Sequence, residues 1–158
     1  MNNTKHGTTN FRMLKPFLDV LTAAADECGM SWRRFTADGY MDLSMEMLGY
    51  PDHKGRPVFY MAHFGEQNGD LMADPSMDFS VDFDAGIIEP LTFRNDYLGV
   101  FDQVYITRDG QHLYSKRLRS ELDDFLWHWL QNIQEQGFSP AVTKATAQCR
   151  TKNFRGGA

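Results

Sequence analysis

Residues 77–84, MDFSVDFD, alternate without interruption: Met77, Phe79, Val81 and Phe83 are apolar, and Asp78, Ser80, Asp82 and Asp84 are polar. Successive side chains of a strand point to opposite faces, so a period of two predicts a half-buried strand with its acids on the open side. The segment YMDLSMEML repeats the pattern, with Met41, Leu43, Met45 and Met47 set against Tyr40, Asp42, Ser44 and Glu46. VFYMAHF (58–64) is rich in aromatic and β-branched residues and follows turn material, GYPDHKGRP, so it reads as a further strand. GEQNGDLMADPS (65–76) shows no clean period and reads as a loop of about a dozen residues, long enough to suspect a role of its own. A tight AG (85–86) joins the acidic strand to IIEPLTF in a hairpin, with Pro90 pointing to an edge position or a bulge. DQVYIT and QHLYS around RDG give a second hairpin signal.

Two segments carry the helical period instead. In FRMLKPFLDVLTAAADECG, Phe11, Leu14, Phe17, Leu18, Leu21 and Ala25 recur at spacings of three and four, with Gly29 as the stop. Pro16 inside this run either delays the helix to about Met13 or kinks it. In SELDDFLWHWLQNIQEQG, Leu122, Phe125, Leu126, Trp129, Leu130 and Ile133 form one stripe that Leu118 extends. Ser120 is the expected N-cap, because Glu121, Asp123 and Asp124 then occupy the first turn, where the dipole favours anions, and Gly137 closes the helix. The order helix, strands, helix predicts an α+β fold: a meandering antiparallel β-sheet of about five to six strands with an N-terminal and a C-terminal helix packed on one face. A single domain over 1–137 and a disordered basic tail over 138–158 complete the expectation.

Composition narrows the class. A chain of 158 residues that is 42% apolar and 13% aromatic can bury a core without staples, which excludes a disordered protein. Cys28 and Cys149 stand far apart and outside any metal-type spacing, so both read as reduced thiols in a cytoplasm, and neither has the context of a nucleophile. The polar start MNNTKHGTTN lacks a signal-type apolar region, and no run approaches the ~20 apolar residues of a membrane span. The expected protein is soluble and cytoplasmic, without a membrane partner. No P-loop or GxGxxG occurs, and no cofactor or catalytic residue is expected.

Charge adds what periodicity cannot. Net charge is −5, and residues 61–93 carry seven carboxylates, Glu66, Asp70, Asp74, Asp78, Asp82, Asp84 and Glu89, with no lysine or arginine among them. Beyond Glu135 the sign inverts, with Lys144, Arg150, Lys152 and Arg155 and no acid. Residues i and i+2 of a strand lie ~6.6 Å apart, so Asp78, Asp82 and Asp84 outline a negative row whose spacing approximates nucleic-acid phosphates. Asp74, Asp78, Asp82 and Asp84 form the core of this expected partner-binding site, with Glu66, Asp70 and Glu89 at its rim. The ordinary alternative is a solvated sheet face.

The strings NGDLMADPSMDFSV and FRNDYLGVFDQVY resemble a domain family of bacterial plasmids and other mobile elements with no assigned biochemical activity. The match spans roughly residues 57–136, and no catalytic residue carries over from it. The resemblance implies a bacterial, mobile-element setting. Joined to the acidic row, it leads to a non-enzymatic acidic binding protein, a DNA-mimicking inhibitor of a host defence nuclease or of another nucleic-acid-binding protein. Its partner would be a basic protein; direct nucleic-acid contact would run through the basic tail, where Phe154 can stack on a base. The alternative is a metal-dependent phosphodiester hydrolase in which His63, Glu66, Asp70 and Asp74 hold a hard cation. Oligomeric state is open.

Overall fold

The computed structural model describes residues 3–141. Helix α1 (Gly7–Ala23) leads into six strands, β1 (Met30–Phe35), β2 (Leu43–Pro51), β3 (Pro57–Gln67), β4 (Asp70–Asp82), β5 (Ile87–Asn95) and β6 (Val100–Gln103). These pair in chain order as one antiparallel meander. A separate hairpin, β7 (Tyr105–Arg108) and β8 (Gln111–Tyr114), precedes helix α2 (Lys116–Glu135). This is the expected α+β fold, with an N-terminal helix, a six-stranded antiparallel sheet and a C-terminal helix. Among the described residues no helix is long and apolar enough to cross a membrane.

Both helices press their apolar stripes against one side of the sheet. Leu14, Phe17, Leu18 and Leu21 of α1 and Leu122, Leu126, Trp129, Leu130 and Ile133 of α2 close over Leu43, Met45, Phe59, Met61, Met77, Phe79, Val81 and Ile88. Phe17 meets Phe35 edge-on at 5.0 Å, and Phe125 meets Phe93 at 4.8 Å. Pro16 does not delay α1; it lies beside Arg12 and Lys15 on the exposed side, where water can serve the carbonyl that proline cannot. The cap of helix α2 lies five residues before the sequence-predicted one, because Ser115 accepts the Leu118 N–H at 3.2 Å on its Oγ. Ser120 therefore stands inside the helix, and Arg119 falls in its first turns. Phe138, expected to open the tail, is buried in the core cluster; the remainder of that tail beyond Ala141 lies outside the described residues.

The stretch expected as a loop, 65–76, is hairpin. β3 and β4 run on to Gln67 and Asp70 and reverse at Asn68 (φ 54°) and Gly69 (φ 85°), the left-handed pair that matches the twist of the flanking strands. Within this hairpin the register slips once: Ala62 pairs with Ser76 and Phe64 with Ala73, so Asp74 and Pro75 together stand opposite His63. Two residues against one is a β-bulge, and it reverses the in-and-out phase of β4 on its two sides. Phe79, fully buried between both neighbouring strands and the helices, is the most direct test of this core. Phe79→Ala is expected to cost about 3–5 kcal/mol, read as a lower urea midpoint at unchanged slope.

Candidate functional site on the open sheet face

The strand residues between the core positions face away from the helices. Across the ladder they align in two rows: Trp32, Glu46, Tyr60, Asp78 and Thr92, and beside them Arg34, Ser44, Ala62, Ser76 and Arg94. The small side chains Ser44, Ala62 and Ser76 are buried in the middle of the second row, with an arginine at either end of it. Both end arginines are engaged at the rim: Arg34 lies over Trp32 at 5.6 Å and 3.8 Å from Asp42, and Arg94 Nε lies 2.6 Å from Asp96 Oδ1.

Asp78 sits near the centre of this face. Its backbone N–H donates to Thr92 Oγ1 at 3.1 Å, Tyr60 is its direct cross-strand partner, and its charge reaches Tyr50 as well. Burial pushes the Asp78 carboxyl above the ordinary 3.8, opposed only by the hydrogen bond to Thr92. Among the described residues no cation pairs with it. The same charge, after burial, raises Tyr50 and contributes to raising Tyr60, so all three groups keep their protons longer than in water.

The remaining sequence-predicted acids are distributed by the bulge and the turns. The register puts Ala73 and Ser76 on one face despite their odd separation, so Asp70 and Asp74 fall on the side opposite Asp78, while Glu66 shares its side at the exposed hairpin tip. Asp74 accepts a long hydrogen bond from Asn95 Nδ2 at 3.4 Å. Asp82 remains on the Asp78 side, ~13 Å along the strand, and its Oδ1 accepts the Ala85 N–H at 2.9 Å. Asp84 has left the strand for the exposed turn. A continuous row at phosphate spacing is therefore replaced by a centre at Asp78 with Asp82 and Glu66 on either side.

The four residues of the hydrolase reading do not converge. His63 is buried among the rings of Trp129 and Phe138 on the helix side, its Nδ1 is 3.0 Å from the Asp42 carbonyl oxygen, and burial lowers its pKa. Glu66 and Asp70 lie at the hairpin end on opposite faces. Cys28 is exposed, and Cys149 lies outside the described residues.

Glu89 departs furthest from expectation. It is not a rim acid but a buried one, 2% exposed, because its position opposite Ser80 turns it toward the turn 51–57 and the β7–β8 hairpin. Arg56 Nη2 approaches Glu89 Oε1 at 2.8 Å and Asp52 Oδ2 at 2.7 Å, while Arg119 Nε lies 3.2 Å from Glu89 Oε2, which also accepts from the Tyr105 hydroxyl. Arg119 further donates to the Tyr114 hydroxyl at 2.9 Å, and the Lys54 and Arg56 N–H groups close the turn on Asp52 Oδ1 at 2.9 and 2.8 Å. Burial alone would raise both carboxyls; the hydrogen bonds from Tyr105 and Arg56 outweigh it at Glu89, and those from Arg56 and Lys54 at Asp52, so both are held low. The one sequence cue was a glutamate set among Ile87, Ile88 and Pro90, which is apolar company for a solvated acid.

The fold and this face define a small α+β domain whose six-stranded meandering sheet is covered by helices on one side and presents polar and aromatic residues on the other. The chain belongs to the family described as Domain of unknown function (DUF6908), whose model matches residues 13–139, from within α1 to just beyond Phe138. No curated protein and no solved structure matches it.

The two central acids should respond oppositely to neutralisation. Glu89→Ala is expected to cost about 3–5 kcal/mol at pH 7 by removing the carboxylate that answers buried Arg119 and half-buried Arg56, whereas Asp78→Asn should hold or raise stability by removing a desolvated charge. The pH dependence carries the same signs. Glu89 and Asp52 are depressed below 4.5 and 3.8, so their stabilisation is complete above those values and is lost as pH falls through the depressed ones. Asp78 is raised, so its penalty grows as pH climbs through its elevated value. Urea midpoints measured from acid to neutral pH for wild type and both variants check this.

Proposed function

We propose that the protein is a non-enzymatic binding protein that takes a lysine or arginine side chain of a basic protein partner into the niche formed by Asp78, Tyr50 and Tyr60 on the open sheet face. The observation that carries this reading is Asp78 itself: a desolvated carboxylate at the middle of the face that neither helix covers, with no cation paired to it among the described residues. An uncompensated half-buried charge costs stability, and a partner's cation repays that cost on binding. The neighbouring tyrosine rings add quadrupole attraction for the same cation, and Tyr50, 54% exposed, is free to close on it. Asp82, Glu66 and the net charge of −5 supply long-range steering toward a basic surface.

The resemblance of NGDLMADPSMDFSV and FRNDYLGVFDQVY to sequences of mobile elements favours a host nucleic-acid-binding protein, a defence nuclease among them, as that basic partner. Inhibition would then follow from occupying the groove that such a protein uses for phosphates. With the acids of β4 divided between two faces, mimicry rests on a local negative centre, with no phosphate-spaced row to extend it. His63 and Asp74 adjoin across the bulge, but Glu66 and Asp70 lie at the hairpin end on opposite faces, which gives the hydrolase reading no support.

Bacterial lysate passed over immobilised wild type and Asp78→Asn, at low and moderate salt, tests the reading. The expected result is a basic nucleic-acid-binding protein retained by wild type, weakened at least about tenfold by Asp78→Asn and released as salt rises. Equal retention by the variant would overturn it.

A further inference from the structure

The geometry points to a binding site for a first-row divalent cation of the zinc kind at the junction of α1 and α2, formed by His6, Asp123, Asp124 and Asn10. His6, the residue before α1, donates its backbone N–H to Asp123 Oδ2 at 2.8 Å, and its Nε2 lies 2.9 Å from Asp124 Oδ1. Its ring stacks on Trp127 at 4.9 Å with planes 16° apart, which fixes the direction of Nε2. One ligating atom each from His6, Asp123 and Asp124 falls within 4.8 Å of the others. Asp123 is only 1% exposed, and among the described residues no lysine or arginine pairs with either aspartate.

Asn10 supplies the independent observation. It is fully buried and its Oδ1 has no hydrogen-bond partner, while its Nδ2 makes only long contacts to the Asp123 carbonyl oxygen at 3.4 Å and to Asp123 Oδ1 at 3.5 Å. The amide head thus abuts the Asp123 carboxylate. The amide's oxygen accepts where its nitrogen donates, and a half-turn about χ2 would set the oxygen against a carboxylate oxygen in place of Nδ2. That arrangement is repulsive alone and favourable with a cation between, which would give the orphaned Oδ1 a partner in exchange for the two long Nδ2 contacts. The resulting donors are one imidazole nitrogen and three oxygens. Imidazole with carboxylate oxygen suits zinc and its first-row neighbours at bonds of about 2.0–2.2 Å, whereas magnesium and calcium prefer all-oxygen shells. A bound ion would staple together the two helices that cover the sheet.

Titration of the metal-depleted full chain with Co²⁺, followed by visible d–d absorption, and thermal melting with Zn²⁺ or Mg²⁺ test the site in wild type, His6→Gln and Asp124→Asn. Both substitutions lie at the junction's rim, away from the apolar core, so the folded variants remain a fair comparison. The expected result for wild type is a low-coordinate Co²⁺ spectrum and a melting temperature about 5–10 °C higher at Zn²⁺ a hundredfold above Kd, with neither in the variants and no comparable shift with Mg²⁺. Absence of the Co²⁺ band and of the Zn²⁺ shift in wild type would overturn the site. So would undiminished binding by both variants, which would place the ion elsewhere on the chain.

Discussion

Glu89 is the point on which separate parts of the chain converge. A carboxylate 2% exposed is tenable only with its charge answered, and Arg56, Arg119 and the Tyr105 hydroxyl answer it from three different segments. The turn after β2, the hairpin β7–β8 and the first turns of α2 are thereby tied to β5, which packs against both helices. Asp52 completes the charge balance by sharing Arg56. Four ionised groups are thus in balance, with hydrogen bonds from the Tyr105 hydroxyl to Glu89 and from Arg119 to the Tyr114 hydroxyl beside them.

Asp78 lies two positions from Ser80, the residue opposite Glu89, and faces the same side, yet its situation is reversed. It has desolvation without an answering cation among the described residues, and its carboxyl is pushed up where that of Glu89 is held down. One acid of this face is used to hold the fold, and the other is left as a cost that the fold carries. A cost of that kind, on the face that neither helix covers and beside tyrosines, is consistent with the proposed site for a cationic group.

Much of the architecture was legible in the pattern of the chain. The stripes of Leu14, Phe17, Leu18 and Leu21 and of Leu122, Leu126, Trp129 and Leu130 announced both helices, and strict alternation announced β2 and the second half of β4. β1 was not legible, because Trp32, Arg33 and Arg34 at a sheet edge need bury little and so leave no period. The β3–β4 hairpin read as a loop because its far end is polar on both faces, although Asn68-Gly69 was the turn signal within it. Ser115 and Ser120 are equal as caps by residue type, and only the hydrogen bond to Leu118 chooses between them. The site was half legible: charge counting found Asp78, but counting has no sense of face. The bulge at Asp74 and Pro75 and the burial of Glu89 are properties of register, set by pairing with residues distant in sequence.

The most direct test of the account is a carbon-detected NMR titration of the Asp78 side-chain carboxyl, alone and with an arginine-rich peptide. The account predicts a free value above the ordinary 3.8 that falls when the peptide binds, because a guanidinium beside the carboxylate favours its charged form. An Asp78 that titrates at or below the ordinary value, or whose titration ignores the peptide, would contradict it.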